Sequence, residues 1–219
     1  LDVPDADAAR RMVDALGDSV AFYKLGLELF MAGGYHELLD WLAGRGKLIF
    51  ADLKFFDIPA TVAAAVQRLN GRGITFTTVH GNQGIMEAAA AAARDVKVLA
   101  VTVLTSLDRG DLDDLGFQCD VRELVVSRAR RALAAGVHGV VSSGIEAEAI
   151  RRELGDRLLV VTPGIRPVEN RPADDQKRVL SVEAAFAAGA DYIVVGRPIL
   201  EAADPCAAAR AIAAEMAGT

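Results

Sequence analysis

Nowhere in this 219-residue chain is there an apolar stretch approaching the roughly 18 consecutive residues that a membrane-spanning helix needs. Its first residues hold no basic segment leading into an apolar one, so nothing there reads as a secretory signal. Cysteine is scarce, and Cys119 and Cys206 stand far apart with no metal-ligand spacing. They read as free thiols of a reducing compartment rather than a disulfide framework. A cytoplasmic location with no membrane partner is therefore expected. Positive charge is not in excess either: 24 lysines and arginines face 30 aspartates and glutamates, a formal charge of −6. A nucleic-acid partner, which needs a basic surface to meet phosphates, is not expected. A small anion is still admissible if cations gather locally. No Gly-x-Gly-x-x-Gly follows an early strand, and no His/Cys/Asp/Glu cluster has convincing metal spacing.

What is present is a regular alternation. Apolar runs at 20–24, 48–53, 74–79, 96–104, 139–142, 158–162 and 192–195 are mostly continuous rather than alternating in polarity. That pattern suits parallel strands covered on both faces. Between them, residues 6–16, 58–69, 85–93, 121–135 and 147–154 carry apolar positions at three- and four-residue spacing, with Gly17, Gly71, Gly136 and Gly155 as helix stops. Residues 1–3, Leu-Asp-Val, read as the tail of an eighth strand truncated at the N-terminus. The expectation is one (β/α)8 barrel domain of TIM type over residues 1–219, preferred over a doubly wound sheet because the dinucleotide fingerprint is missing. The one long irregular stretch, 163–178, holds three prolines and is expected to be a lid.

Barrel active sites lie at the carboxyl ends of the strands, so strand-end residues should converge on one mouth. The segment DLKFFDIPAT, residues 52–61, is the most informative of these ends. Asp52 and Lys54 are two apart, hence on one face of a strand, with Asp57 following before a proline. A carboxylate and an ammonium side by side are costly to bury and useful to a substrate. Thr162-Pro-Gly-Ile-Arg-Pro and Val195-Gly-Arg-Pro-Ile repeat a strand, a glycine and an arginine at neighbouring ends. Gly196 would let backbone approach a phosphate, and Arg197 would pair with two of its oxygens. His80 ends a strand and reads as a structural residue lining the pocket. His36 and His138 read as structural or solvated, and the acidic run 108–114 as a solvated loop.

With these motifs assembled, the chain resembles the orotidine 5′-phosphate decarboxylases over almost its whole length. The likeness rests on LDV at the start, YKLGLELF around Lys24, ADLKFFDIPAT, VTVLTS, VTPGIRP, the Asp175-Gln176 pair and YIVVGRPI. The resemblance implies a homodimeric barrel that converts orotidine 5′-phosphate to UMP in de novo pyrimidine biosynthesis with no metal and no cofactor. Lys54 matches the lysine that protonates the pyrimidine carbanion, and Asp52 the carboxylate beside the substrate's own. Asp57 matches the acid that reaches the partner subunit's site, joined there by Thr61. Asp2 and Lys24 match ribose-binding residues, and Thr105 and Ser106 the pyrimidine-contacting stretch. Arg166, Gln176, Gly196 and Arg197 match the phosphate site. Phe56 and Ala60 depart from the histidine and asparagine found in many relatives. Two alternatives stand beside this reading. One is a magnesium-using sugar-phosphate enzyme of the 3-keto-L-gulonate 6-phosphate decarboxylase kind, which has a glutamate where this chain has Lys24. The other is a non-catalytic barrel that binds a nucleotide.

Overall fold

The computed structural model describes residues 1–166 and 179–218. Helix α1 (Ala6–Leu16) leads into β1 (Phe22–Leu25), followed by α2 (Leu27–Ala32), α3 (Tyr35–Gly44) and β2 (Leu48–Phe55). Then come α4 (Pro59–Gln67), β3 (Phe76–His80), α5 (Gln83–Ala92), β4 (Lys97–Val101), α6 (Arg109–Asp114), α7 (Val121–Ala134) and β5 (Gly139–Val141). The chain continues through α8 (Gly144–Leu154), β6 (Leu159–Thr162), α9 (Val182–Ala187), β7 (Tyr192–Ile193), α10 (Arg197–Leu200) and α11 (Pro205–Ala217). The strands form one parallel sheet in the order β1 to β7. Among the described residues no helix is long and apolar enough to cross a membrane.

The sheet curls enough to bring side chains of its two edge strands together in its interior. Phe22 of β1 and Tyr192 of β7 lie with ring centroids 6.0 Å apart, and both pack against Phe76 of β3, Tyr192 edge-on. Side-chain alternation sorts each strand into an inner and an outer set. Phe50, Phe76, Leu99 and Val161 fill the interior, with Phe22, Val141, Leu159 and Val194 against them. The alternate positions, among them Leu25, Ile49, Ala51, Val79, Val98 and Val160, join the larger core beneath the helices. Continuous apolar runs are thus explained by burial on two faces. Gly139 is required where β5 squeezes between its neighbours: an added Cβ would lie 2.5 Å from the Leu159 carbonyl oxygen and 2.9 Å from Leu99 Cδ2.

Most helices begin on a side-chain oxygen, as their unsatisfied first N–H groups require. Asp5, Ser143, Ser181 and Asp204 cap α1, α8, α9 and α11 in this way. Gly17 and Gly155 end α1 and α8 as expected. The acidic run 108–114 is a correction: it is helix α6, not a loop. Asp108 accepts from the Asp111 N–H while the Asp111 carboxylate accepts from the Asp108 N–H, and Leu112 is buried. This reciprocal box starts a helix that a count of acidic residues hides. The expected strand over 96–104 stops at Val101; the Thr102 N–H still donates to the Val141 carbonyl at 3.1 Å, and the Thr102 carbonyl accepts from the Arg128 guanidinium. Residues 1–3 form no strand pair here. Instead the Leu1 nitrogen donates to the Lys24 carbonyl at 2.7 Å, at the seam between β1 and β7.

Candidate active site

At the carboxyl end of β2 the backbone breaks register. The pairing of β2 with β3 slips between Ala51 and Phe55. Lys54 is the one non-glycine among the described residues with φ in the left-handed region, at 47°. Such a conformation costs on the order of 1–3 kcal/mol and persists only where surroundings hold it. Here the holding group is Thr78 on β3. Its Oγ1 accepts from the Lys54 N–H at 2.9 Å and donates to Asp52 Oδ1 at 2.7 Å. The other Asp52 oxygen accepts from Lys54 Nζ at 2.8 Å and lies 3.5 Å from Lys24 Nζ. Lys24 in turn contacts Asp2 Oδ1 at 3.3 Å. Charges therefore alternate Asp2, Lys24, Asp52, Lys54 across three chain segments.

Asp52 is only 7% exposed. Burial alone would raise its carboxyl pKa, but the Lys24 and Lys54 ammonium groups and the hydrogen bonds from Lys54 and Thr78 outweigh it and hold the pKa below the usual range. Asp2 follows the same pattern, with burial opposed chiefly by Lys24. Tyr35 stands behind the network. Its hydroxyl donates to the Leu25 carbonyl at 3.3 Å, and burial, followed by the Asp52 charge, raises its phenol pKa.

The network opens into a cavity of ≈ 310 Å³ lined by Asp2, Lys24, Asp52, Lys54, Thr105, Arg166, Gly196 and Arg197, along with apolar side chains of the interior. Its size and its mix of apolar walls with a few convergent polar groups suit a small-molecule site. Arg166 is largely buried, with Nη1 donating to the Ile165 carbonyl at 3.0 Å. Gly196 and Arg197 open α10. The two arginines expected to meet a phosphate thus share a cavity with the Asp–Lys chain.

Other expected residues lie elsewhere. Asp57 and Thr61 are exposed, Thr61 in the first turn of α4 and Asp57 on the turn into it, where Asp57 Oδ1 accepts from the Ile58 N–H at 2.6 Å. Phe56 and Ile58 beside them are each 66% exposed. Ser106 is exposed and outside the cavity lining. His80 is also outside it and stacks on Phe56 at 4.8 Å between ring centroids. Burial, with Arg128 and Lys54 nearby, lowers its pKa. Gln176, and the lid expected over 163–178 from residue 167 onward, lie outside the described residues. Sequence reasoning missed Thr78 and Tyr35. The signal for Thr78 was a pair of threonines in an otherwise apolar strand, Phe76-Thr-Thr-Val79. Among the described residues no group of three or more His, Cys, Asp or Glu could hold a metal ion.

A curled parallel β/α sheet carrying charged groups at its carboxyl ends places the molecule among the barrel-type enzymes. Residues 1–212 match the Orotidine 5′-phosphate decarboxylase / HUMPS family, and the chain belongs to it. It is 62% identical over 216 residues to the orotidine 5′-phosphate decarboxylase of Methylococcus capsulatus, covering 99% of this chain and 89% of that protein. It is 54% identical to the protein of that name from Stenotrophomonas maltophilia, covering 99% of this chain and 90% of that one. Among solved structures, the orotidine 5′-phosphate decarboxylase of Lactobacillus acidophilus superposes with a TM-score of 0.87 at 35% identity, covering 99% and 96% of the two chains.

Proposed function

We propose that this protein decarboxylates orotidine 5′-phosphate to UMP in pyrimidine biosynthesis, as a cytoplasmic enzyme using neither metal nor organic cofactor. The observation that carries the reading is the Lys54 ammonium held 2.8 Å from buried Asp52 at the wall of a cavity that also contains Arg197. In the reaction the bond between pyrimidine carbon 6 and the carboxyl carbon breaks. Carbon dioxide leaves, and the electron pair stays on carbon 6. Lys54 Nζ donates a proton to that carbon, a C–H bond forms, and the amine regains a proton from water after product release. The difficulty is negative charge on a ring carbon with little resonance to spread it. A fixed ammonium at about 4 Å is worth roughly 4 kcal/mol at an effective dielectric of 20, or roughly a thousandfold in rate at ~1.4 kcal/mol per decade. Preorganisation is what makes that charge available without reorganisation at the moment of reaction.

The remaining roles follow from position. Asp52 orients Lys54 and faces the departing carboxylate. Asp2 and Lys24 take the ribose hydroxyls. Thr105, with Ser106 at the same turn, takes the pyrimidine. Arg166, Gly196 and Arg197 take the phosphate, and Gln176 joins them by its place in the family motif. Phosphate binding is remote from the breaking bond, so its energy acts by positioning the base. Asp57 and Thr61 point to a homodimer with shared sites: each would enter the other subunit's cavity as Phe56 and Ile58 are covered. In this reading residues 1–219 make one (β/α)8 barrel, with residues 1–3 belonging to a further strand at the seam between β7 and β1.

The test is to follow the ultraviolet absorbance of orotidine 5′-phosphate with the purified protein, with and without a chelator. Loss of the substrate band to UMP, unaffected by chelation, is the expected result. No turnover would remove the activity, and chelator-sensitive turnover would remove its metal independence.

A further inference from the structure

We propose that Thr78 is a positioning residue for this reaction, one hydroxyl that sets both the Asp52 carboxylate and the strained Lys54 backbone. The inference rests on the activity proposed above and adds a residue that the motif does not contain. Thr78 is fully buried. Its Oγ1 accepts the Lys54 N–H at 2.9 Å, so the backbone donor displaced from the ladder by the register slip is still satisfied. A hydroxyl has one proton to give, and here it goes to Asp52 Oδ1 at 2.7 Å. The carboxylate is thereby locked in rotation with Oδ2 aimed at Lys54 Nζ and toward Lys24 Nζ, at 2.8 and 3.5 Å. Thr78 and Lys54 thus touch Asp52 from opposite oxygens. A β-branched residue with few χ1 choices is suited to hold such a bridge.

The consequence is specific. Without the hydroxyl, the left-handed Lys54 loses its backbone partner and Asp52 loses a donor to its charged form. Positioning errors of this kind cost rate more than ground-state binding, because the ammonium must meet a particular carbon. Removing a donor to an ionised carboxylate also raises that carboxyl's pKa.

The experiment compares wild type, Thr78→Val and Thr78→Ser in kcat, KM and pH profile with orotidine 5′-phosphate. It also compares their thermal midpoints and the 13C-carboxyl NMR titration of Asp52. In Thr78→Val, kcat should fall about ten- to a hundredfold, the range expected for a hydrogen bond to a charged group, with KM little changed. The acid limb of its profile and the Asp52 titration should both move to higher pH, and Thr78→Ser should recover most of the kcat. Wild-type kcat and an unmoved Asp52 titration in Thr78→Val overturn the inference. So does an equal loss in both variants that tracks an equal fall in thermal midpoint, since that is packing alone. If wild type itself fails to turn over the substrate, the proposed activity falls. The Asp52 titration then still decides: an upward shift in Thr78→Val supports the bridge, and no shift overturns it.

Discussion

Lys54 combines an ammonium charge, a strained backbone and a hydrogen bond to the Asp52 carboxylate, and the charge has a direct test. Lys54→Ala removes the ammonium from the reacting carbon, so turnover should drop at least a thousandfold if that charge is worth ~4 kcal/mol in the transition state. UMP affinity, measured by calorimetry, should largely survive. Arg197→Ala should weaken UMP far more than uridine, because only the nucleotide offers a phosphate for the guanidinium; equal losses would count against the phosphate assignment. The acids set the pH response of stability. Asp52 and Asp2 have folded pKa values held below the ordinary range by Lys24, with Lys54 also acting on Asp52. Their contribution is therefore present above the unfolded carboxyl value, near pH 4, and lost as pH falls through the lower folded values. Urea unfolding between about pH 5 and 2 should show the wild type losing stability more steeply than Asp2→Asn. Parallel curves would mean that the Asp2–Lys24 contact does not contribute.

At the scale of elements, strands were the most readable parts, because burial on both faces writes an uninterrupted apolar run. Helix α1 was read with its full extent from its apolar spacing and from Gly17 at its end; Asp5 caps its start. Short helices were harder. α6 depends on one reciprocal pair, Asp108 with Asp111, and on the burial of Leu112, and neither shows in composition. β4 ended earlier than its apolar run, and the Thr102 carbonyl just past it meets Arg128, a residue far along the chain that no local pattern could announce. Gly139 has a comparable tertiary cause. Its place in β5 is fixed by the Leu159 carbonyl, which an added Cβ would meet at 2.5 Å. Gly139→Ala should force β5 away from β6 and cost about 1–3 kcal/mol, the usual range for overpacking. Chemical denaturation measures it, and an unchanged midpoint would show that the sheet yields there.

For the molecule as a whole, the unanswered feature of the surface is the turn into α4. Phe56 and Ile58 are 66% exposed beside Asp57, away from the cavity lining. A second copy would cover the apolar pair and bring Asp57 to a site it does not reach within one chain. Mixing inactive Asp57→Ala and Lys54→Ala chains should therefore restore activity in heterodimers, in which one of the two sites has both residues intact. Verified heterodimers with no recovered turnover would argue against shared sites.

The linear order of residues determined the alternation of strands and helices, the double burial of the sheet and the gathering of Lys24, Asp52, Lys54, Arg166 and Arg197 at strand ends. Periodicity and strand-end position are local properties, legible one segment at a time. Tertiary structure alone decided that Lys54 turns left-handed, that β3 supplies the hydroxyl beneath it, and that β1 and β7 come within reach across the seam. Those features depend on where a neighbouring strand lies, and its register is set by packing between segments far apart in the chain.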